Sequence, residues 1–256
     1  MKTSGNTMLI TGGGSGIGRA LAASFHALGN QVIIAGRRPA ALEEVTRAHP
    51  GLAALVLDLE DAGAIRDFAA RLTARHPGLN AIVHNAGIMR PENLLEPGTG
   101  LADAEATVAT NLLGPIRLTA ALLPHLSRQR HAAIMTVTSG LAFVPLAHFP
   151  TYSATKAALH SYTESLRTQL RDTSIQVLEL APPYVQTELT GAHQARDPDA
   201  MPLKEFIAES MRILTQSPTA GEVLVERVKP LRFAARGDYD TQFRNFNAAM
   251  AAALNH

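Results

Sequence analysis

Tyr152 and Lys156 stand four residues apart in Tyr152-Ser153-Ala154-Thr155-Lys156, where a helix is expected to begin, so phenol and ammonium should share one helical face. A free tyrosine, with a pKa of about 10, is a poor acid–base catalyst at neutral pH, and a neighbouring cation favours its phenolate. The pair therefore suits proton exchange with a carbonyl or alcohol oxygen. Ser139, thirteen residues upstream, follows the apolar run Ala132 to Thr138 and can hydrogen-bond the same oxygen. Taken singly, a surface Tyr–Lys pair and a capping serine are the plainer readings of these residues.

A second chemistry sits near the amino terminus, where an apolar run ends in Thr11-Gly12-Gly13-Gly14-Ser15-Gly16-Ile17-Gly18 and a helical pattern follows at once. A strand, a glycine-rich turn and a helix amino terminus converge backbone N–H groups and a helix dipole on one point, which favours a pyrophosphate. The spacing is T-G-x-x-x-G-x-G rather than G-x-G-x-x-G, and the expected cradle comprises Gly12, Gly14, Ser15, Gly16, Ile17 and Gly18. In dinucleotide folds, an acid at the end of the second strand reads the adenosine ribose 2′-hydroxyl, whereas an arginine there accommodates a 2′-phosphate. This chain has Ala35-Gly36-Arg37-Arg38 at that place, with two guanidiniums and no carboxylate. Arg37 and Arg38 thus predict NADP(H) in preference to NAD(H), with the Ser15 hydroxyl as a further partner for the phosphate.

These groups need a scaffold that gathers them. Apolar runs at Thr7 to Thr11, Gln31 to Ala35, Leu52 to Leu57, Leu79 to His84, Ala132 to Thr138 and Ser174 to Leu180 read as buried strands. Helical stretches alternate with them at Gly16 to Leu28, Pro39 to His49, Ala62 to His76, Leu101 to Gln129 and Thr151 to Arg171, several ending at glycine or Pro-Gly. That alternation predicts an α/β fold: a single-domain, doubly wound parallel sheet of Rossmann type over residues 1–256, with helices on both faces. Ligands in such sheets bind at the carboxyl edge, where the glycine turn and Ser139 would both lie. The rhythm breaks after Leu180, so residues 181–216 are expected to supply a substrate loop or lid, irregular over Ala181 to Pro202. The Ala-rich stretch Asn247 to Leu254 reads as a terminal helix.

Composition removes other classes. The 256 residues balance 23 Lys+Arg against 22 Asp+Glu without charge runs, which argues against a nucleic-acid or acidic-membrane surface and for a small-molecule partner. Cysteine is absent, which excludes disulfides and thiolate sites and fits a cytoplasmic protein. No signal peptide or membrane span is expected. The ten histidines show no helical two-histidine ligand spacing, so no metal is expected.

Together and in this order, the residues resemble the short-chain dehydrogenase/reductase family over about three quarters of the chain. Asp58-Leu59 is similar to the family's adenine-contacting segment, and His84-Asn85-Ala86-Gly87 to its N-N-A-G, with His84 departing at the first position. The resemblance implies a catalytic tetrad of Asn111, Ser139, Tyr152 and Lys156. Tyr152 would be the general acid–base, Lys156 would lower its pKa and hold the nicotinamide ribose, Ser139 would orient the carbonyl, and Asn111 would support a proton-relaying water. It further implies cofactor contacts from Asn85, Ala86 and Gly87, and from Pro182, Val185 and Thr187 in Ala181-Pro182-Pro183-Tyr184-Val185-Gln186-Thr187. There Pro183 replaces the family's glycine, stiffening the backbone and removing an N–H. Gly5-Asn6-Thr7, Ala181-Pro182-Pro183 and Ala234-Ala235-Arg236-Gly237-Asp238-Tyr239 resemble the branch labelled DltE-like.

The implied activity is hydride transfer between NADP(H) and a ketone, aldehyde or secondary alcohol. The alternative is an NADPH-binding sensor that uses the fold without turnover. A homodimer or homotetramer is expected, paired through the Leu101 to Gln129 and Thr151 to Arg171 helices. An apolar substrate pocket is expected from Leu141, Phe143, Val144, Tyr184 and Leu189, with His148 and Phe149 beside it.

Overall fold

The computed structural model describes residues 1–95 and 101–254, and in it the apolar runs become parallel strands. These are β1 (Thr7–Thr11), β2 (Gln31–Gly36), β3 (Ala53–Val56), β4 (Leu79–His84), β5 (Ala132–Val137) and β6 (Ile175–Leu180), joined by a short β7 (Glu222–Val223). The helices are α1 (Gly16–Ala27), α2 (Pro39–Ala48), α3 (Ala62–Arg75), α4 (Leu101–Val108), α5 (Gly114–Leu126), α6 (Pro150–Gln169), α7 (Leu203–Gln216), α8 (Lys229–Arg232) and α9 (Tyr239–Leu254). Strand order is β3-β2-β1-β4-β5-β6-β7, so the winding reverses between β1 and β4 and opens a crevice at their carboxyl ends.

Both faces of the sheet are covered, which is why its strands are continuously apolar rather than alternating. Met8 and Ile10 point into one core with Phe25 of α1, Leu42 of α2 and Phe206 of α7. Leu9 and Ile33 point into the other with Phe68 of α3, Leu118 and Leu122 of α5 and Leu166 of α6. Burying each such side chain contributes roughly 1.5–3 kcal/mol, and the two cores fix the strand ends that carry the polar groups.

The structure departs from the sequence reading in three places. The helix expected over Leu101 to Gln129 is α4 and α5 joined by a π-helical turn, Ala109–Leu113, in which the Gly114 N–H donates to the Ala109 carbonyl. Residues Leu101–Leu126 are together long and apolar enough to cross a membrane, but here Leu118, Leu122 and Leu126 are buried in the core beneath the sheet. Ala181 to Pro202 is irregular apart from a short 3-10 turn at Gln194–Arg196, and α7 follows, with Phe206, Ile207 and Leu214 at helical spacing packed inward. β7, two residues long, carries too little pattern to be read in advance. The terminal helix begins at Tyr239, eight residues before the expected Asn247.

Candidate active site at the carboxyl edge of the sheet

The glycine turn follows β1 and is pressed against the residues after β4. Gly12 has φ +68°, and a Cβ there would lie 2.8 Å from the Ala86 Cα; at Gly18 a Cβ would lie 2.4 Å from both the Asn85 Nδ2 and the Gly12 carbonyl. No side chain fits at either position. Thr11 and Asn85 lock this contact: the Thr11 hydroxyl accepts from the N–H groups of Asn85 and Ala86 at 3.0 and 3.1 Å, and Asn85 Nδ2 donates to the Thr11 carbonyl at 3.0 Å. Ser15 occupies the N-cap of α1 without capping it, so the helix's first N–H groups have no side-chain partner. Gly12, Gly14, Ser15, Gly16 and Ile17 line a cavity of about 790 Å³, while Gly18 packs behind it. The turn thus packs without side chains against the segment after β4 and leads into the uncapped amino terminus of α1 at the cavity wall, an arrangement that fits a dinucleotide pyrophosphate.

The two arginines after β2 have different surroundings. Arg38 Nη2 is 3.3 Å from the Ser15 hydroxyl, which brings a guanidinium and a hydroxyl together beside the turn. Arg37 Nη1 is instead engaged by Glu60 at 2.7 Å, and Glu60 also accepts from the Thr110 hydroxyl at 3.1 Å. Both arginines line the cavity, but Arg37 carries its own counter-charge. Leu59 lines the cavity as well. Asp58 does not; its Oδ1 accepts from the Glu60 N–H at 3.0 Å and shapes the loop after β3.

At the other end, Ser139, Tyr152 and Lys156 face the same cavity. Pro150 opens α6, Tyr152 follows in its first turn, and Lys156 lies four residues on, with Nζ 5.5 Å from the tyrosine ring centre. Lys156 Nζ donates to the Val137 carbonyl at 2.8 Å. The sequence reading expected the cation to lower the phenol, but the balance is different. Burial pushes Tyr152 up to about 12, the Ser139 hydroxyl acting in the opposite sense, and burial brings Lys156 down to about 8. At neutral pH the chain's own groups therefore hold Tyr152 as a phenol, a proton donor. Asn111 lies in the π-helical turn outside the cavity lining, its carboxamide accepting from the Ile88 N–H and donating to the Ile88 carbonyl, both at 2.9 Å. It fastens the segment after β4 beside Lys156, since a Cβ on Gly87 would lie 3.3 Å from Asn111 Oδ1 and 3.7 Å from Lys156 Nζ.

Asn85, Ala86, Gly87, Pro182, Val185 and Thr187 also line the cavity, as does Pro183. The loop that carries the last of these is held by Gln194, a buried residue without a sequence signature. Its Nε2 donates to the Val185 carbonyl at 2.8 Å and to the Thr187 hydroxyl at 3.1 Å. Tyr184 faces the cavity with its hydroxyl donated to Asp197 at 2.9 Å, and burial together with that carboxylate raises its pKa.

The expected substrate pocket is partly corrected. Leu141, Phe149 and Leu189 line the cavity. Val144 is buried outside it, and Phe143 turns away to meet His160 edge-on at 4.9 Å and Arg232 at 4.7 Å. His148 is exposed, and its carbonyl accepts from the Glu92 N–H. Their places in the sequence carry no information on direction. The apolar wall is completed instead by Met89, Leu146 and, from α9, Phe246 and Met250. Asn247 ties α9 down, donating to the Pro145 carbonyl at 3.0 Å and accepting from the Ala147 N–H at 2.6 Å.

Among the described residues, one grouping has metal-ligand types, His160, Glu179 and Glu222, with ligand atoms within 4.8 Å of one another. Each is engaged by the protein itself: His160 with Glu179 at 2.8 Å, Glu179 with Thr138 at 2.6 Å, and Glu222 with Arg232 at 2.7 Å.

Comparison with known proteins addresses the family and the fold. The short chain dehydrogenase family matches residues 6–198. The "Uncharacterized oxidoreductase DltE" of Bacillus subtilis (strain 168) is 40% identical over 250 residues, covering 96% of this chain and 98% of that protein. Among solved structures, a short chain dehydrogenase from Burkholderia cenocepacia J2315 in complex with NADP superposes with a TM-score of 0.81 at 23% identity, covering 96% of this chain and 98% of the other. A short chain dehydrogenase/reductase from Burkholderia phymatum in complex with NAD gives 0.79 at 19% identity, covering 94% and 96%.

Proposed function

Because this chain belongs to the short-chain dehydrogenase/reductase family of oxidoreductases, in its DltE-like branch, we propose that it is an NADP(H)-dependent reductase of ketones or aldehydes that in reverse oxidises a secondary alcohol, with Tyr152 as general acid–base. The carrying observation is one cavity with the glycine turn, Ser15 and Arg38 at one end and Ser139, Tyr152 and Lys156 at the other. When bound, the nicotinamide supplies or accepts the hydride.

The remaining work falls to side chains. The turn N–H groups hold the pyrophosphate, and Arg38 with Ser15 takes the 2′-phosphate through charge-assisted hydrogen bonds. Ser139 donates to the carbonyl oxygen and fixes it against the Tyr152 phenol, which gives its proton to that oxygen as negative charge develops there. Lys156, a cation at neutral pH, stabilises the phenolate left behind. The apolar wall from Leu141, Leu146, Phe149 and Phe246 takes the carbonyl's substituents and excludes water. We place this activity in the cytoplasm and in a homodimer or homotetramer paired through α4–α5 and α6.

The test is consumption of NADPH and NADH against aliphatic, aromatic and bulky ketones and aldehydes, with Tyr152→Phe alongside. Turnover that prefers NADPH and falls roughly 10²–10⁴-fold in Tyr152→Phe, with NADPH affinity kept, is expected. Retained turnover removes Tyr152 from the acid–base role. NADPH binding without consumption, in either direction, favours a nucleotide sensor.

A further inference from the structure

Beneath the Tyr152–Lys156 pair lies a charged side chain that the proton transfer above does not use. Glu179, on β6, is 0% exposed. One carboxylate oxygen accepts from the Thr138 hydroxyl at 2.6 Å, and the other is 2.8 Å from His160 Nδ1. A carboxylate is costly to bury without such partners, so these contacts require an account.

Two stripes of residues converge on it. At the end of β5, three consecutive residues divide the work: the Val137 carbonyl accepts from Lys156, the Thr138 hydroxyl holds Glu179, and the Ser139 hydroxyl interacts with the Tyr152 phenol. On α6, Tyr152, Lys156 and His160 follow at intervals of four and share one face. Glu179 joins the stripes one step below the reacting groups. Resting on the reductase reading above, we propose that Glu179 is a positioning residue for the proton-transfer pair, its buried carboxylate serving as counter-charge to the Lys156 ammonium while Thr138 and His160 hold it in place.

The surrounding charges leave this role to Glu179. Glu222 on β7 is matched by Arg232 at 2.7 Å, and Glu164 on α6 lies 3.7 Å from His160 Nε2 with its side chain 55% exposed. His160 is raised chiefly by its hydrogen bond to Glu179, against burial and against Arg232 on α8. At Lys156 itself burial lowers the pKa, and Glu179 is the carboxylate that acts in the opposite sense. The phenol of Tyr152, neutral at the same pH, brings no competing charge.

The chain has four lysines, Lys2, Lys156, Lys204 and Lys229, so isotope-labelled lysine ε-carbons followed by NMR through a pH titration give few signals, and Lys156→Met identifies the wanted one. In Glu179→Gln the acid dissociation constant of Lys156 is expected to rise about tenfold. Glu179→Asp, which keeps the charge, should recover most of that change. The alkaline limb of the kcat profile for ketone reduction should move to lower pH by the same factor in Glu179→Gln. A Lys156 titration that stays in place in folded Glu179→Gln overturns the proposal. Should that variant fail to fold, the reciprocal measurement decides, because coupling between two groups is mutual. In Lys156→Met the labelled Glu179 carboxyl must titrate at higher pH than in the unaltered protein, and an unchanged midpoint overturns the proposal equally. The titration needs no substrate, so absent turnover with a shifted Lys156 counts against the reductase reading and not against the counter-charge.

Discussion

His84 closes β4 with its imidazole 2% exposed, one ring nitrogen 2.8 Å from the Thr119 hydroxyl and the other without a hydrogen-bond partner. Burial pushes its pKa down to about 3. The folded value lies below the unfolded one of about 6.5, so the stability associated with the neutral ring is complete above pH ~6.5 and is lost as pH falls toward the folded value. At about pH 5 the loss amounts to roughly 2 kcal/mol. His84→Asn removes the titrating group, and urea denaturation at successive pH values should show a correspondingly flatter acid limb; parallel limbs in the two proteins would refute this account. The place of His84 at the end of an apolar run says nothing of the partner that only one of its nitrogens finds. The same limit applied at Tyr152, where spacing revealed the pair with Lys156 but not the burial that raises the phenol.

At the scale of elements, α9 is the part of the site furthest from its partners in the chain. Its docking rests on Asn247, whose carboxamide bridges the backbone of Pro145 and Ala147 one hundred residues away and so brings Phe246 and Met250 to the substrate end of the cavity. If that wall receives the carbonyl's substituents, Phe246→Ala removes apolar contact worth about 1.4 kcal/mol with a bulky substrate, a tenfold rise in KM. Asn247→Ala should do the same by releasing the helix. Neither change should alter KM for a small aliphatic ketone or NADPH affinity, and a uniform loss across substrates would show that α9 supports the fold rather than the pocket. The strands, the glycine turn and α6 were legible because each is announced locally by periodicity, glycine or short spacing. The reach of α9, the Gln194 staple and the π-helical turn around Asn111 were not, because each is fixed by a contact between distant segments. Phe143 failed for a related reason: its neighbours Arg232 and His160, not its place in the sequence, decide which way the ring faces.

Across the whole molecule, the cavity lies where the sheet's winding reverses, and a dinucleotide seated there would touch the ends of β1, β2, β4 and β5 and the loop after β6 together. Binding to the folded state alone raises its stability by mass action, about 2.7 kcal/mol when the free ligand is at a hundred times its Kd. For a chain of this length that corresponds to a rise in Tm of about 5 °C. The proposed preference for NADP(H) rests on an asymmetry between neighbours, since Arg38 faces Ser15 beside the cradle while Arg37 is already paired with Glu60. If the 2′-phosphate is read there, NADH at the same concentration binds at least tenfold more weakly and gives a rise smaller by about 2.5 °C or more. Arg38→Ala should erase that difference, lowering the NADPH shift to the NADH value, whereas Arg37→Ala should leave most of it. Equal shifts for the two nucleotides in the unaltered protein would remove the NADP preference. Loss of the difference through Arg37 alone would instead mean that nucleotide binding breaks the Arg37–Glu60 pair and turns that guanidinium toward the phosphate.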